Sequence, residues 1–265
     1  MADVHESAAR GYANNAAIYV RGRPDYPDDV VGWLRSVVQL RDGRSAVDLG
    51  AGTGKFAPFL RATGAAVTAV EPVAAMRAEL ERAHPGVRVL DGRADGIPLP
   101  DASVDAVVCA QAFHWFATGA ALAEIHRVLR PDGMLALVWN GRDQSVDWVA
   151  QVSRITDAYE GDTPRYQTGR WRDAFDAGLF TLVDEQRFGN RHVGPVEQVV
   201  MDRTMSVSFI GKLPPEEQQK IRDELRALID ATPALNGGGP VAFPYVCSCY
   251  AYRKARAQLA ENRPG

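Results

Sequence analysis

A glycine-rich segment early in the chain has the composition of a ligand-binding loop. Residues 47–55 read VDLGAGTGK. Glycine adopts backbone angles that other residues avoid, and its missing Cβ lets a ligand approach the main chain. The dinucleotide motif G-x-G-x-x-G would need its third glycine at Lys55, and the P-loop would need serine or threonine at Phe56. Both phosphate-binding motifs therefore fail. The pattern that remains is an acidic residue, Asp48, followed by three alternating glycines.

A carboxylate ends the next predicted strand. Glu71 directly follows the apolar residues 68–70. In dinucleotide-binding folds an acidic residue about 20 residues past the glycines accepts hydrogen bonds from ribose hydroxyls. Taken alone, Glu71 would also suit a solvated strand end, and the loop would suit an ordinary turn. Together they predict a site for a ligand that carries a ribose.

Strands alternate with helices over the first half of the chain, and this order positions the loop. Helices are predicted at residues 55–63, from Pro72 to near His84, and after a capping Thr118; residues 131–133 predict a turn. Alternation of this kind predicts right-handed βαβ units and a parallel sheet, in which ligands bind beyond the carboxyl ends of the strands. The predicted strands are residues 45–49, 66–70, 87–90, 104–109 and 134–139.

After Trp139 the pattern is looser. Helices are predicted at residues 148–159, 171–177 and 215–230, and strands at 182–188 and 241–252; the helix from Pro215 has proline first and glutamates in its first turn. The expected organisation is a single domain over residues 1–265. Its parts are an N-terminal arm (1–26), a core (27–139), helical excursions and a lid (140–240) around strand 182–188, and a final antiparallel strand (241–252).

Composition and charge exclude several classes of protein. The net charge is -3 and the sequence pI is about 6.0, so no basic surface for nucleic acid is expected. No apolar run is long enough to span a bilayer, and the first nine residues are too polar for a signal peptide. Three cysteines without framework spacing indicate free thiols and a cytoplasmic protein. The histidines show no metal-ligand spacing, so no metal is expected.

At this point a family resemblance is evident. Residues 46–139 resemble the methyltransferase-domain (type 11) family of class I S-adenosylmethionine (AdoMet)-dependent methyltransferases, and are most similar to the small-molecule methyltransferases of the trans-aconitate type. The resemblance implies an α/β protein with a three-layer α/β/α Rossmann-like fold, a seven-stranded mixed sheet in the order 3-2-1-4-5-7-6, and an inserted helical lid. The matching segments are residues 47–55, 70–72, 92–99, 103–108, 112–116 and 124–133.

The resemblance also implies roles for individual residues. The methyl donor would be AdoMet, with S-adenosyl-L-homocysteine as product. Asp48 and the backbone of Gly50 and Gly52 would hold its methionine part, and Glu71 its ribose. The expected cofactor-binding residues are Asp48, Gly50, Ala51, Gly52, Gly54, Glu71, Pro72, Met76, Ala94, Asp95, Gln111, Tyr19 and Arg23.

The chemistry expected of such an enzyme is alignment of the acceptor with an activated methyl group. Proximity and orientation supply roughly 7–11 kcal/mol of a barrier. The Asn/Asp-Pro-Pro-Tyr/Phe motif of amino-group methyltransferases is replaced by residues 110–114, AQAFH, so a carboxylate, hydroxyl or carbon acceptor is expected. His114 is the candidate general base. The other interpretation, that His114 and Trp115 only shape the pocket floor, stays open.

The acceptor should lie under segments outside the core. Trp115, Trp139, Arg203 and Met205 are the predicted acceptor contacts, and residues 189–240 are the predicted lid. The competing interpretation is that many residues of these segments form a satellite core. The expected partner is a small-molecule acceptor, with no nucleic acid or membrane, and the protein is expected to be a monomer or homodimer. A non-catalytic AdoMet-fold subunit and an NAD-dependent oxidoreductase are the alternatives; Lys55 disfavours the latter.

Overall fold

A seven-stranded mixed sheet forms the centre of the molecule. The computed structural model describes residues 23–255. The strand order β3-β2-β1-β4-β5-β7-β6 confirms the predicted order. Strands β1 to β5 pair in parallel, and β7 is antiparallel to both of its neighbours. The strands are β1 (Ser45–Leu49), β2 (Ala66–Val70), β3 (Arg88–Leu90), β4 (Val104–Ala110), β5 (Leu129–Arg142), β6 (Phe180–Gly194) and β7 (Val241–Lys254).

Helices cover both faces of the sheet and connect the parallel strands. The predicted cap is confirmed: the hydroxyl oxygen of Thr118 accepts a hydrogen bond from the Ala121 N–H at 3.2 Å. In the part of the chain that the structure describes, no helix is both long and apolar enough to cross a lipid bilayer. The helices are α1 (Asp29–Ser36), α2 (Ala57–Ala62), α3 (Ala74–Ala83), α4 (Gly119–Val128), α5 (Asp147–Asp157) and α6 (Pro215–Ala231).

The central strands are buried on both faces, as parallel strands between helix layers must be. Successive side chains of a strand point to opposite faces. Val107 therefore packs in one core cluster with Leu122 of α4, whereas Val108 packs in another with Leu34 of α1 and Leu60 of α2. Each cluster lies between the sheet and the helices on one of its faces, so the molecule has the three α/β/α layers that the sequence predicts.

Two strands of the sheet depart from prediction. Strand β6 continues to Gly194 and pairs with β7 along its length, so residues 189–194 belong to the sheet and not to the lid. Gly189 and Asn190 are residue types that disfavour strands, but pairing with β7 overrides that local preference. The predicted turn at residues 131–133 lies within β5, where Asp132 has a φ of 61° and the pairing with β4 shifts register.

A separate layer, which we call the cap, consists of α5 and residues 195–240. It has its own apolar core, in which α5 packs with a π-helical segment (Glu197–Asp202) and α6. Tyr245 of β7 joins this core and connects it to the sheet. The cap is the satellite core that the second interpretation of these segments predicts.

Candidate functional site

The glycine-rich loop turns sharply after β1 and opens a cavity of about 240 Å³ at the carboxyl ends of the strands, called here the first cavity. Gly50 has a φ of +71°, and a Cβ at this position would lie 2.8 Å from the Cβ of Ala112. Its N–H donates to the Val70 carbonyl at 2.8 Å, which ties the loop to β2. Both the angle and the close approach require glycine here.

Asp48 lies at the floor of the first cavity with 1% of its surface exposed. Neither carboxylate oxygen has a hydrogen-bond partner among the described residues. Burial, with a contribution from the charge of Glu71, raises the pKa of Asp48 to about 7. A buried carboxylate without partners is unfavourable, and a cationic or hydrogen-donating ligand in this cavity would stabilise it.

Glu71 lies at the end of β2 and holds the loop as well as facing the first cavity. One carboxylate oxygen accepts from the Gly52 N–H and the other from the Val73 N–H, each at 2.9 Å. Burial raises the pKa of Glu71, and these two amides oppose that shift. A carboxylate has about four lone-pair positions, so both oxygens can still accept from ribose hydroxyls.

Most other predicted cofactor residues line the same cavity. Gly54 does not line this cavity, because it faces α3 and the His84 that follows this helix. A Cβ at Gly54 would lie 2.8 Å from Leu80 and 2.7 Å from His84, so glycine lets that helix pack on the loop. Tyr19 lies outside the described residues. The predicted residues that line the first cavity are Arg23, Asp48, Gly50, Ala51, Gly52, Glu71, Pro72, Met76, Ala94, Asp95 and Gln111.

Arg23 reaches the cavity because the chain around it is fastened to the core. The Lys55 ammonium donates to the Arg23 carbonyl at 2.6 Å and pairs with Asp25 at 3.2 Å. The Asn140 side chain donates to the Asp25 carbonyl at 3.2 Å. Tyr26 packs edge-on against Phe56, with ring centroids 4.7 Å apart. Sequence reasoning missed both Lys55 and Asn140 as cavity residues.

A second cavity, of about 110 Å³, adjoins the first. The residues that line both are Arg23, Gln111, Trp115, Asn140 and Arg203. Gln111 has a φ of 58°, a strained angle for a residue other than glycine, and its amide donates to the Asn140 carbonyl at 3.0 Å. A ligand in the second cavity would therefore meet one in the first beside these side chains.

His114 lines the second cavity, but its geometry does not suit a general base. The indole N–H of Trp139 donates to its Nδ1 at 3.1 Å. An indole N–H can only donate, so Nδ1 accepts and the proton of the neutral ring lies on Nε2. Burial and the charges of Arg23 and Arg165 lower the pKa of His114 to about 3. The ring therefore offers a donor, and the interpretation in which it shapes the pocket is favoured.

Two of the four predicted acceptor contacts lie elsewhere. Trp139 is fully buried and stacks on Tyr166 at 4.7 Å, within an aromatic cluster that includes Trp171. Met205 belongs to the core of the cap. Neither lines a cavity, because each side chain points into a core, which its position in the sequence does not reveal. Trp115 and Arg203 line both cavities.

Comparison with known proteins places these features in context. Residues 47–137 match the family described as a methyltransferase domain. An uncharacterized methyltransferase-like protein of Schizosaccharomyces pombe is 35% identical over 250 residues, which cover 93% of this chain and 96% of the relative. An uncharacterized methyltransferase of Mycobacterium tuberculosis is 37% identical over 249 residues, covering 94% and 96%.

A solved structure shares the fold. The YcgJ protein from Bacillus subtilis superimposes with a TM-score of 0.54 at 20% identity, covering 87% of this chain and all of that one. At this identity the likeness shows the fold alone. The two relatives of nearly full length, in contrast, show the family.

Proposed function

Because the chain belongs to the class I AdoMet-dependent methyltransferases, we propose that it methylates a small-molecule acceptor through a carboxylate, hydroxyl or carbon atom. The observation that carries the proposal is the pair of adjoining cavities, one with an unpartnered buried carboxylate at Asp48 and the other lined mostly by polar and aromatic side chains. Two ligands in these cavities would meet beside Gln111, Trp115 and Arg203.

The residues of the first cavity fit AdoMet. The free carboxylate of Asp48 suits the cationic methionine end of the donor, and the open lone pairs of Glu71 suit its ribose. The exposed backbone of Ala51 and Gly52 gives close access to the main chain, while Pro72, Met76 and Ala94 provide apolar surface for the adenine. When bound, AdoMet supplies a methyl group already activated on a sulfonium.

The chain's own contribution to the reaction is positioning. Gln111 has a strained backbone angle, and its side-chain amide is held by the Asn140 carbonyl; Trp115 and Arg203 also line both cavities. Fixing two reactants in line contributes roughly 7–11 kcal/mol to a transfer reaction. His114, with its proton on Nε2, would orient an acceptor oxygen by donating to it. A carboxylate acceptor would need no base.

The test is transfer of label to a small molecule. The purified protein is incubated with methyl-labelled AdoMet and a small-molecule extract of the native host, and the products are separated by chromatography and mass spectrometry. We expect label in one or a few small molecules, with none from boiled enzyme. Label found only in protein or nucleic acid, or in no fraction, would contradict the proposal.

We further propose the setting in which this reaction occurs. The whole chain would act as one catalytic domain, as a monomer or homodimer, with residues 27–139 binding the donor and the cap helping to bind the acceptor. The three cysteines are free thiols and buried, which supports a location in the reducing cytoplasm.

A further inference from the structure

The second cavity is unusual in the charge of its walls. Among residues 23–255, four arginines line it, namely Arg23, Arg142, Arg165 and Arg203, and no aspartate or glutamate does. Sequence reasoning assigned no role to Arg142 or Arg165. The family match also ends at residue 137, before either of them.

Arg142 and Arg165 have different surroundings. The guanidinium of Arg165 forms ion pairs with Asp157, at 2.7 Å, and with Glu160. The guanidinium of Arg142 donates to the Thr156 hydroxyl at 2.9 Å and, weakly, to the Val152 carbonyl at 3.5 Å. No ion pair joins Arg142 to a carboxylate within residues 23–255. Asp157 and Glu160 are thus ion-paired with Arg165 and not with Arg142.

The position of Arg142 is unfavourable for its charge. Burial and the neighbouring charges of Arg203 and Arg165 lower its pKa to about 9, and the charges of Tyr245 and Asp157 oppose that shift only in part. Arginine resists deprotonation, so the guanidinium stays charged. A buried guanidinium at a cavity wall that forms no ion pair with a carboxylate of residues 23–255 is one that an anionic ligand would stabilise.

We propose that Arg142 binds a carboxylate of the methyl acceptor, so that the acceptor is a small organic acid. This inference rests on the proposed function and specifies its substrate class. A planar guanidinium pairs with a carboxylate through two parallel hydrogen bonds. Arg142 lines the second cavity but not the first, whereas Gln111, Trp115 and Arg203 line both cavities. The carboxylate that it binds is therefore an anchor, separate from the methylated atom beside the first cavity.

The first experiment works with an acceptor that has not been identified. The small-molecule extract is divided on a strong anion exchanger into bound and unbound pools, and each is incubated with enzyme and methyl-labelled AdoMet. We expect labelled product from the bound pool. Product from the unbound pool alone would overturn this inference and leave the proposed function standing. Absence of product from both pools would contradict the proposed function itself.

Chemical treatment of the bound pool identifies the anion. Coupling with methylamine by a carbodiimide turns carboxylates into neutral amides, and alkaline phosphatase removes phosphomonoesters. We expect the carbodiimide treatment to abolish acceptor activity and the phosphatase to leave it intact. The reverse result would show that Arg142 serves a phosphate and would contradict the carboxylate assignment.

A pair of variants tests the residue. Arg142→Gln removes the guanidinium from the cavity wall, and Arg154→Gln removes one from the exposed face of α5 nearby. With the active pool, Arg142→Gln should raise the apparent KM at least about tenfold while changing kcat far less, and Arg142→Lys should restore part of the loss. Arg154→Gln should match the unmodified protein. Equal KM values for the two glutamine variants would overturn the proposal.

A structural role for Arg142 predicts a different pattern. If its bond to Thr156 chiefly held β5 to α5, Arg142→Gln would lower the thermal midpoint of the free protein. We expect the midpoint to stay unchanged or to rise, because the substitution removes an uncompensated charge, and S-adenosylhomocysteine affinity to stay unchanged. A lowered midpoint together with an unchanged KM would identify a structural arginine.

Discussion

The two cavities that meet beside Arg203 differ in charge. The first holds two buried carboxylates, Asp48 and Glu71, on its floor and has basic side chains among its other lining residues, whereas the second is lined by four arginines and, within residues 23–255, by no carboxylate. A cationic donor fits the first, and an anionic acceptor would fit the second. The donor would stabilise the unpartnered carboxylate of Asp48, and the acceptor would stabilise the guanidinium of Arg142, which has no ion-paired carboxylate among residues 23–255.

The two cavities are also built differently. The floor of the first comes from the ends of adjacent strands and the loop after β1, fixed by parallel pairing. The second collects residues from the arm, from the segment after β4, from β5 and α5, and from the 163–167 and 203–209 segments. The difference suggests a rigid donor site that many acceptor sites could be combined with.

The largest expected effect is on the first cavity alone. Gly50→Val places a branched side chain where a Cβ already lies 2.8 Å from Ala112, at a φ of +71°. The loop cannot keep its position, so we expect no detectable binding of S-adenosylhomocysteine by calorimetry. Gly211→Val, where nothing lies within 4 Å of an added Cβ, is the control. Normal binding by the Gly50 variant would show that the loop does not form the donor site.

A second prediction concerns the charge of Asp48 in the free protein. Its pKa of about 7 lies above the usual 3.8, so the folded chain keeps a proton that the unfolded chain releases between these values. Stability therefore falls as pH rises from about 4 to 7, by on the order of 4 kcal/mol, and the loss is complete above pH 7. Asp48→Asn should raise the free energy of unfolding at about pH 8 and leave it unchanged near pH 4.

Urea unfolding across this pH range measures the effect. Asp173→Asn, at an exposed aspartate, is the control and should show no pH-dependent gain. If the two variants behave alike at both pH values, Asp48 is not the buried charge that distinguishes the first cavity.

A third prediction sharpens the role of Glu71. Glu71→Ala removes the acceptor for the Gly52 and Val73 amides as well as for ribose hydroxyls. Since hydrogen bonds to a charged group contribute roughly 1.5–3 kcal/mol, affinity for S-adenosylhomocysteine should fall at least about tenfold. Glu81→Ala, at an exposed glutamate of α3, should bind normally. Unchanged affinity in the Glu71 variant would show that this residue binds only the loop amides and not the ribose.

The sequence predicted the fold and much of the first cavity because their signals are local. Alternating elements, the glycine spacing and the position of Glu71 at a strand end each follow from short stretches of chain. That Glu71 also clamps Gly52 was not predictable, since the contact joins residues 19 apart through a specific side-chain position.

The second cavity was poorly predicted for a physical reason. The sequence predicts that the fifth strand ends at Trp139, so the strand residues after Trp139 were not recognised as part of the sheet. In the structure β5 runs to Arg142, and alternation along the strand puts Trp139 in the core and Asn140 on the opposite face. The core position of Met205 was not predictable for a similar reason, because its packing depends on α5 and α6, which are distant in sequence.

The smallest expected effect is a difference in backbone mobility between the cap, which lies beside the second cavity, and the central strands, which carry the first. The cap has an apolar core of its own, and the π-helical segment Glu197–Asp202 runs directly into Arg203. A satellite core opens more readily than the central strands, and π-helical turns often mark functional positions. We therefore expect amides of residues 195–213 to exchange faster than those of β4 in the free protein. They should slow several-fold only when S-adenosylhomocysteine and the acceptor pool are both present.

Slowing by S-adenosylhomocysteine alone would mean that the donor organises both cavities. Exchange as slow as that of β4 in the free protein would make the second cavity a fixed wall, with acceptor choice set by its shape and by Arg142.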